Sequence, residues 1–194
     1  MKHNFRGPSY TIGIEEELMI VDAESYDLVN AIESLLEEGN GGEIKPELME
    51  SVLEIATEPA ANTPEAGRHL CALRAQVSEA AGRRGLRIGS AGTHPFAMWE
   101  DQRIAARPRY RDLVSALRFV ARQELIFGMH VHVGLDDPDK AIHVANGMRV
   151  HLAVLLALSA NSPFWRAAWR PTRWACWSTS SSAARSPSRP RTRG

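Results

Sequence analysis

The sequence predicts a mixed α+β fold with antiparallel features, and three observations carry that prediction. Residues 127–134, Phe-Gly-Met-His-Val-His-Val-Gly, alternate strictly between apolar and polar positions and read as a strand. Residues 63–85 carry Leu70, Leu73, Val77, Ala80 and Ala81 at helical spacing and read as a helix. Strands and helices elsewhere follow one another without the regular strand–helix–strand series of a parallel sheet. At 194 residues, 44% apolar and 24% charged, the chain has the balance of one globular domain.

Taken in order, residues 9–22 read as a strand that ends at an Asp turn. Residues 28–38 predict a short helix, stopped by the flexible Gly39-Asn40-Gly41-Gly42. Residues 47–58 have apolar positions at Leu48, Val52, Leu53 and Ile55 and favour a strand. Thr63-Pro64-Glu65 predicts a helix start with Thr63 as cap and Pro64 at the first helical position, and Gly85 marks the stop. A short strand is expected over 86–92 and a helix over 108–123, striped by Leu113, Leu117 and Val120. After the strand at 127–134, Asp137-Pro138 caps a long, increasingly apolar helix that carries Leu152, Leu155, Leu156 and Leu158.

Composition divides the chain in two. From Arg166 to Gly194 there are seven arginines, six serines, three tryptophans and no acid. Without that stretch, 16 basic residues face 23 acidic ones, a net charge of −7 (16 minus 23). Residues 1–165 are therefore expected to form the domain, and 166–194 a disordered tail. The tail reads either as a nucleic-acid arm, with arginines on phosphates and tryptophans on bases, or as the product of a shifted reading frame. No uninterrupted apolar run reaches eighteen residues, and the N-terminal Met-Lys-His-Asn-Phe-Arg lacks the apolar core of a signal peptide. Two cysteines, Cys71 and Cys176, cannot build a disulfide framework. A soluble, cytoplasmic protein without membrane contact is the expectation.

Three clusters could carry chemistry. In the triplet Glu15, Glu16, Glu17, strand alternation sends Glu15 and Glu17 to one face and Glu16 to the other. Paired carboxylates repel unless a cation lies between them, and hard cations such as Mg²⁺ take such oxygens. An exposed acidic edge strand is the plainer alternative. His130 and His132 share a face in the same way, between Gly128 and Gly134, which permit close backbone approach. Glu47, Glu50, Glu54 and Glu58 form the third cluster. On a strand Glu50 and Glu54 share a face and Glu47 needs a bend to join them; on a helix all four make one solvated stripe. There is no phosphate-binding Gly-x-x-x-x-Gly-Lys, no G-x-G-x-x-G, no C-x-x-C pair and no G-x-S-x-G elbow. With only three lysines, nucleotide phosphates would have to be handled through metals and arginines.

Five blocks in order resemble the carboxylate–amine ligase family, the bacterial type-2 glutamate–cysteine ligases related to glutamine synthetase. They are Gly13-Ile-Glu-Glu-Glu-Leu18, Pro46-Glu-Leu with Val52-Leu-Glu-Ile-Ala-Thr57, Gly92-Thr-His-Pro-Phe96, Phe127–Gly134 and Ser159-Ala-Asn-Ser-Pro-Phe-Trp165. The resemblance implies an incomplete glutamine-synthetase-like catalytic domain: a mainly antiparallel sheet with flanking helices, lined by acidic metal ligands. It implies an ATP-dependent ligase joining glutamate to cysteine or another amine through an acyl phosphate. Glu15, Glu17, Glu47, Glu54 and His130 would hold Mg²⁺, and His132 would lie near the ATP phosphates. Thr93 and His94 lie in a family block without an assigned role. Relatives run to roughly twice this length, and the family pattern stops after Trp165. The expected alternatives are weak ligase activity or a truncated relative that at most binds Mg·ATP. Small-molecule substrates are the implied partners, with a homo-oligomer a further expectation from open sheet edges.

Overall fold

The computed structural model describes Phe5 and residues 7–37, 44–160, 162–166 and 168–169. Gly39–Gly42, most of the N-terminal hexapeptide and nearly all of the 166–194 tail lie outside the described residues.

Strand β1 (Ile12–Asp22) is the centre of a five-stranded antiparallel sheet. On one side it pairs with β3 (Val52–Ala56), which pairs in turn with β2 (Ile44–Pro46). Its other side is shared by two partners: β4 (Leu86–Gly89) along residues 19–22 and β5 (Met129–Val133) along residues 12–16. The register sets Glu17 opposite Glu54, Lys45 opposite Glu54, and Glu15 opposite His130.

Period-two alternation makes β1 a divider between two cores. Leu18 and Ile20 join Leu53 and Ile55 beneath helices α1 (Ile32–Leu36) and α2 (Thr63–Gly82), where Leu73, Val77, Ala80 and Ala81 complete the cluster. Met19 and Val21 face the other way, against Val52, Met49, Tyr110, Ala121, Leu125 and Phe127. Those last residues come from or flank α3 (Pro108–Leu117) and α4 (Phe119–Arg122). Burying both faces of residues 18–21 fixes the strand, since a one-residue slip would exchange the two apolar sets.

Local chemistry explains most boundaries. The Asp22 carboxylate accepts from the backbone N–H groups of Glu24 and Ser25 and closes the turn after β1. The N-cap of α2 is Asn62 rather than Thr63: its side chain accepts from Glu65 N at 3.0 Å, and Glu65 reaches back to Ala61 N. A carboxamide caps as well as a hydroxyl, so the start shifts by one residue. Gly85, at φ +69°, lets the chain turn from α2 into β4. The helix expected over 108–123 is broken at Arg118, whose φ of 48° and ψ of −115° end α3 and start α4. The break turns Ala121 into the second core, where an unbroken helix would keep following the Leu113 stripe.

Asp137 caps the last long helical stretch as expected, accepting from Lys140 N. It runs as α5 (Pro138–Met148), a 3₁₀ turn (Arg149–His151) and α6 (Leu152–Leu158). The stretch spans 21 residues, and its most apolar 18-residue window has a mean hydropathy of 1.5, long and apolar enough to cross a membrane by length and composition, although no uninterrupted apolar run marks it. None of the stretch is buried, and Ile142, Val150, Leu152, Val154 and Leu158 stand exposed. After it, β6 (Phe164–Trp165) pairs with β7 (Ala168–Trp169).

Two substitutions test this account. Leu53 is fully buried against α2, so Leu53→Ala should cost roughly 2–5 kcal/mol in denaturant unfolding. Asn62→Ala removes only a cap and should cost about 1 kcal/mol.

Candidate metal centre

The alternation that builds the cores also builds the site. Glu15 and Glu17 occupy the face of β1 that carries Met19 and Val21 further along, and Glu16 occupies the opposite face with Leu18 and Ile20. Glu16 is 2% exposed, which an unpaired carboxylate would not tolerate. Arg74 on α2 donates to it through Nε at 2.7 Å and through Nη2 at 2.5 Å, and Ser90 Oγ donates at 2.9 Å. The bidentate fork fixes the carboxylate and ties β1 to α2 directly behind its acidic face.

In front of the sheet, two groups of three side chains bring their ligand atoms within 4.8 Å of one another. One is Glu17, Glu47 and Glu54; the other is Glu15, His130 and His132. Glu17 and Glu54 meet because they are register partners across β1 and β3. Glu47 follows β2 directly, and the turn that leads from β2 to β3 carries its carboxylate to theirs. Tyr110 donates its hydroxyl to the Pro46 carbonyl at 2.7 Å, which pins the start of that turn. Glu17 accepts from Gly128 N at 2.8 Å, and Glu54 lies 3.4 Å from Lys45 Nζ. On the neighbouring strand pair, Glu15 Oε2 stands 3.0 Å from His132 Nε2 and 3.4 Å from His130 Nδ1.

Electrostatics distinguishes the two groups. Burial pushes the Glu17 carboxyl above the ordinary carboxylate range; the Gly128 N–H opposes this and the charge of Glu47 reinforces it. Glu15 moves the other way, held low chiefly by its hydrogen bond with His132, with burial opposing. The Tyr110 hydroxyl is pushed up by burial and then by the charge of Glu47. Three converging carboxylates, one of them reluctant to ionise, form an all-oxygen set of the kind that hard divalent cations occupy. The two imidazoles with Glu15 make a mixed nitrogen–oxygen set, the histidines exposed on β5 and Glu15 half-buried on β1.

The six residues that the family resemblance assigned to the site therefore gather in two groups of three, Glu17, Glu47 and Glu54 in one and Glu15, His130 and His132 in the other. The segment at 47–58 resolves as a strand with a turn before it, so the single helical stripe does not form. Glu50 stands apart, ion-paired to Arg103 Nε at 2.9 Å, and Glu58 lies outside both groups. Thr93 and His94 have a structural part. His94 Nδ1 accepts from Ala97 N, leaving Nε2 to donate to the Tyr26 carbonyl, and Thr93 Oγ1 donates to the Phe164 carbonyl. Gly134 carries the close approach expected of it, exchanging backbone hydrogen bonds with Tyr10 and Thr11. Sequence reasoning missed Lys45, Tyr110 and Arg74. The position of Glu16 between Ile14, Leu18 and Ile20 on one strand face signals that it needs a buried cation; nothing comparable marks the other two.

Glu17→Gln should stabilise the metal-free chain near neutral pH, because it removes a charge held in a buried, acidic setting while an amide oxygen still accepts from Gly128. A raised pKa means that the stability linked to this proton is present below the ordinary value of 4.5 and is lost as pH rises through the folded value. Thermal unfolding in EDTA should therefore show a higher midpoint for the variant at pH 7 to 8, with the gain shrinking as pH falls toward 4.5.

The chain resembles known proteins both in sequence and in fold. It is 44% identical over 162 residues to a protein of Solibacter usitatus and 45% identical over 161 residues to one of Sorangium cellulosum, both provisionally named glutamate–cysteine ligase 2. These matches cover 81% and 80% of this chain but 42% and 43% of the relatives, so the chain spans about two-fifths of their length. Among solved structures, the glutamate–cysteine ligase of Francisella tularensis in complex with AMP superposes with a TM-score of 0.54 at 21% identity. That match covers 79% of this chain and 33% of the other, and it supports the mixed α+β fold. The sequence profile described as glutamate-cysteine ligase family 2 (GCS2) matches residues 11–189. The profile thus spans most of the chain and runs on past Trp165, where the family blocks read from the sequence stop, and the protein belongs to glutamate–cysteine ligase family 2.

Proposed function

We propose that this chain supplies the metal-binding and phosphate-binding part of an ATP-dependent carboxylate–amine ligase of the glutamate–cysteine type. The observation that carries the reading is the convergence of Glu17, Glu47 and Glu54, from β1, the turn after β2, and β3, within 4.8 Å. Such a set is costly unless a cation compensates it, and its oxygen donors suit Mg²⁺. Glu17, Glu47 and Glu54 would hold one Mg²⁺, and Glu15 with His130 a second. His132, two residues beyond His130 on β5, would face the ATP phosphates.

Bound Mg²⁺ would supply positive charge to the phosphate oxygens during transfer. The rest falls to positioning. The glutamate γ-carboxylate attacks the γ-phosphorus of ATP, the bond to the bridging oxygen breaks, and ADP leaves. The cysteine amine then attacks the acyl phosphate, phosphate departs, and the amine proton passes to solvent or base. This chain's share is to hold the carboxylate set in register through Glu16–Arg74 and to keep the Glu47 turn closed through Tyr110. The AMP complex of the Francisella tularensis enzyme is in keeping with a nucleotide ligand here.

Thermal unfolding with Mg²⁺ and a non-hydrolysable ATP analogue, against an EDTA control, tests the reading. A ligand at 100 times its dissociation constant should add about 2.7 kcal/mol of stability. Glu54→Gln should abolish the Mg²⁺-dependent part while leaving the EDTA midpoint within a few degrees of the parent. A midpoint indifferent to Mg²⁺ and analogue would overturn the assignment, and a shift without γ-glutamylcysteine formation would restrict it to binding.

A further inference from the structure

We infer that Lys45 is the anion-contacting residue of this site, and that in the metal-free chain its ammonium stands in for a divalent cation at Glu54. The inference rests on the metal reading above and adds a residue that neither the sequence nor the family pattern singled out.

Lys45 lies on β2 opposite Glu54, which lies opposite Glu17 on β1, so the three make one row across the sheet. Its Nζ is 3.4 Å from Glu54 Oε1, and its positive charge also helps to hold the Glu15 carboxyl low. The ammonium thus sits in the row of candidate ligands, directly on Glu54. The lysine is poorly suited to stay there. Its side chain is 45% exposed, while that of Glu54 is 14% exposed, and four methylenes give the ammonium wide reach. A doubly charged ion on Glu54 would take the oxygen that Lys45 now contacts and would repel the ammonium. The displaced charge then sits at the rim of a site about to receive a polyanion. A phosphate or carboxylate oxygen of the substrate is the chemical partner that such a released ammonium fits.

This exchange predicts two effects of opposite sign from one surface substitution. Removing the charge in Lys45→Met should tighten Mn²⁺, used as a spectroscopic stand-in for Mg²⁺, by about tenfold, because the ion no longer competes with an ammonium. The same variant should weaken a non-hydrolysable ATP analogue, measured at saturating Mn²⁺, by at least fivefold. Lys45→Arg should return both constants to within about twofold of the parent. Mn²⁺ affinity would be read by electron paramagnetic resonance of free ion, and analogue affinity by calorimetry, with far-UV circular dichroism as the check on folding. Tighter Mn²⁺ together with weaker analogue supports the inference. Unchanged constants, or both weakened together, overturn it while leaving the metal reading in place. Absence of Mn²⁺ binding by the unsubstituted chain overturns the metal reading and this inference with it.

Discussion

A strand that carries a site has one freedom that matters, its register, because a shift of one residue exchanges its two faces. In this protein that freedom is removed at β1. Residues 18–21 are buried on both sides, between a core under α1 and α2 and a second core formed with α3 and α4. Two residues further back, Glu16 is locked by the guanidinium of Arg74 and the hydroxyl of Ser90. Once those contacts hold, Glu15 and Glu17 have no alternative but to face forward, and β3 and β5 bring Glu54 and His130 opposite them.

The front of the sheet is built against its own electrostatics. Glu17, Glu47 and Glu54 converge although their charges repel, and burial adds to the cost at Glu17. The two cores and the Glu16–Arg74 pair, all structural, offset that cost. The same division recurs in smaller features. Tyr110 spends its hydroxyl on the Pro46 carbonyl, and His94 spends both ring nitrogens on backbone groups. Each is a polar side chain that holds a loop in place rather than joining the converging carboxylates.

Some of this was legible before any coordinates. Strict alternation in 127–134 places His130 and His132 together, and the α2 stripe of Leu73, Val77, Ala80 and Ala81 is the one that packs. The helix over 108–123 was misread as continuous, because the Leu113–Leu117–Val120 stripe is locally sound. The break accompanies the burial of Ala121 in a core that also takes Met19, Val21, Met49 and Val52 from distant parts of the chain. The Asn62 cap was displaced by one residue because Asn62 and Thr63 are both good caps and only backbone geometry separates them. Glu47 and Glu50 show the same limit from the side of the site. Both lie in one acidic segment, yet one joins Glu17 while the other pairs with Arg103.

By itself the sequence determined which faces each strand could present, since alternation is a local property of extended backbone, and it supplied the blocks that mark the family. It could not determine which strands meet. The pairing of Lys45, Glu54 and Glu17 in one row depends on three segments whose relative positions are set by burial of Leu53, Ile55, Leu18 and Ile20 against α2. Cross-strand register is a long-range consequence of packing, and only the tertiary structure decided that two acidic segments and a histidine strand would share one surface.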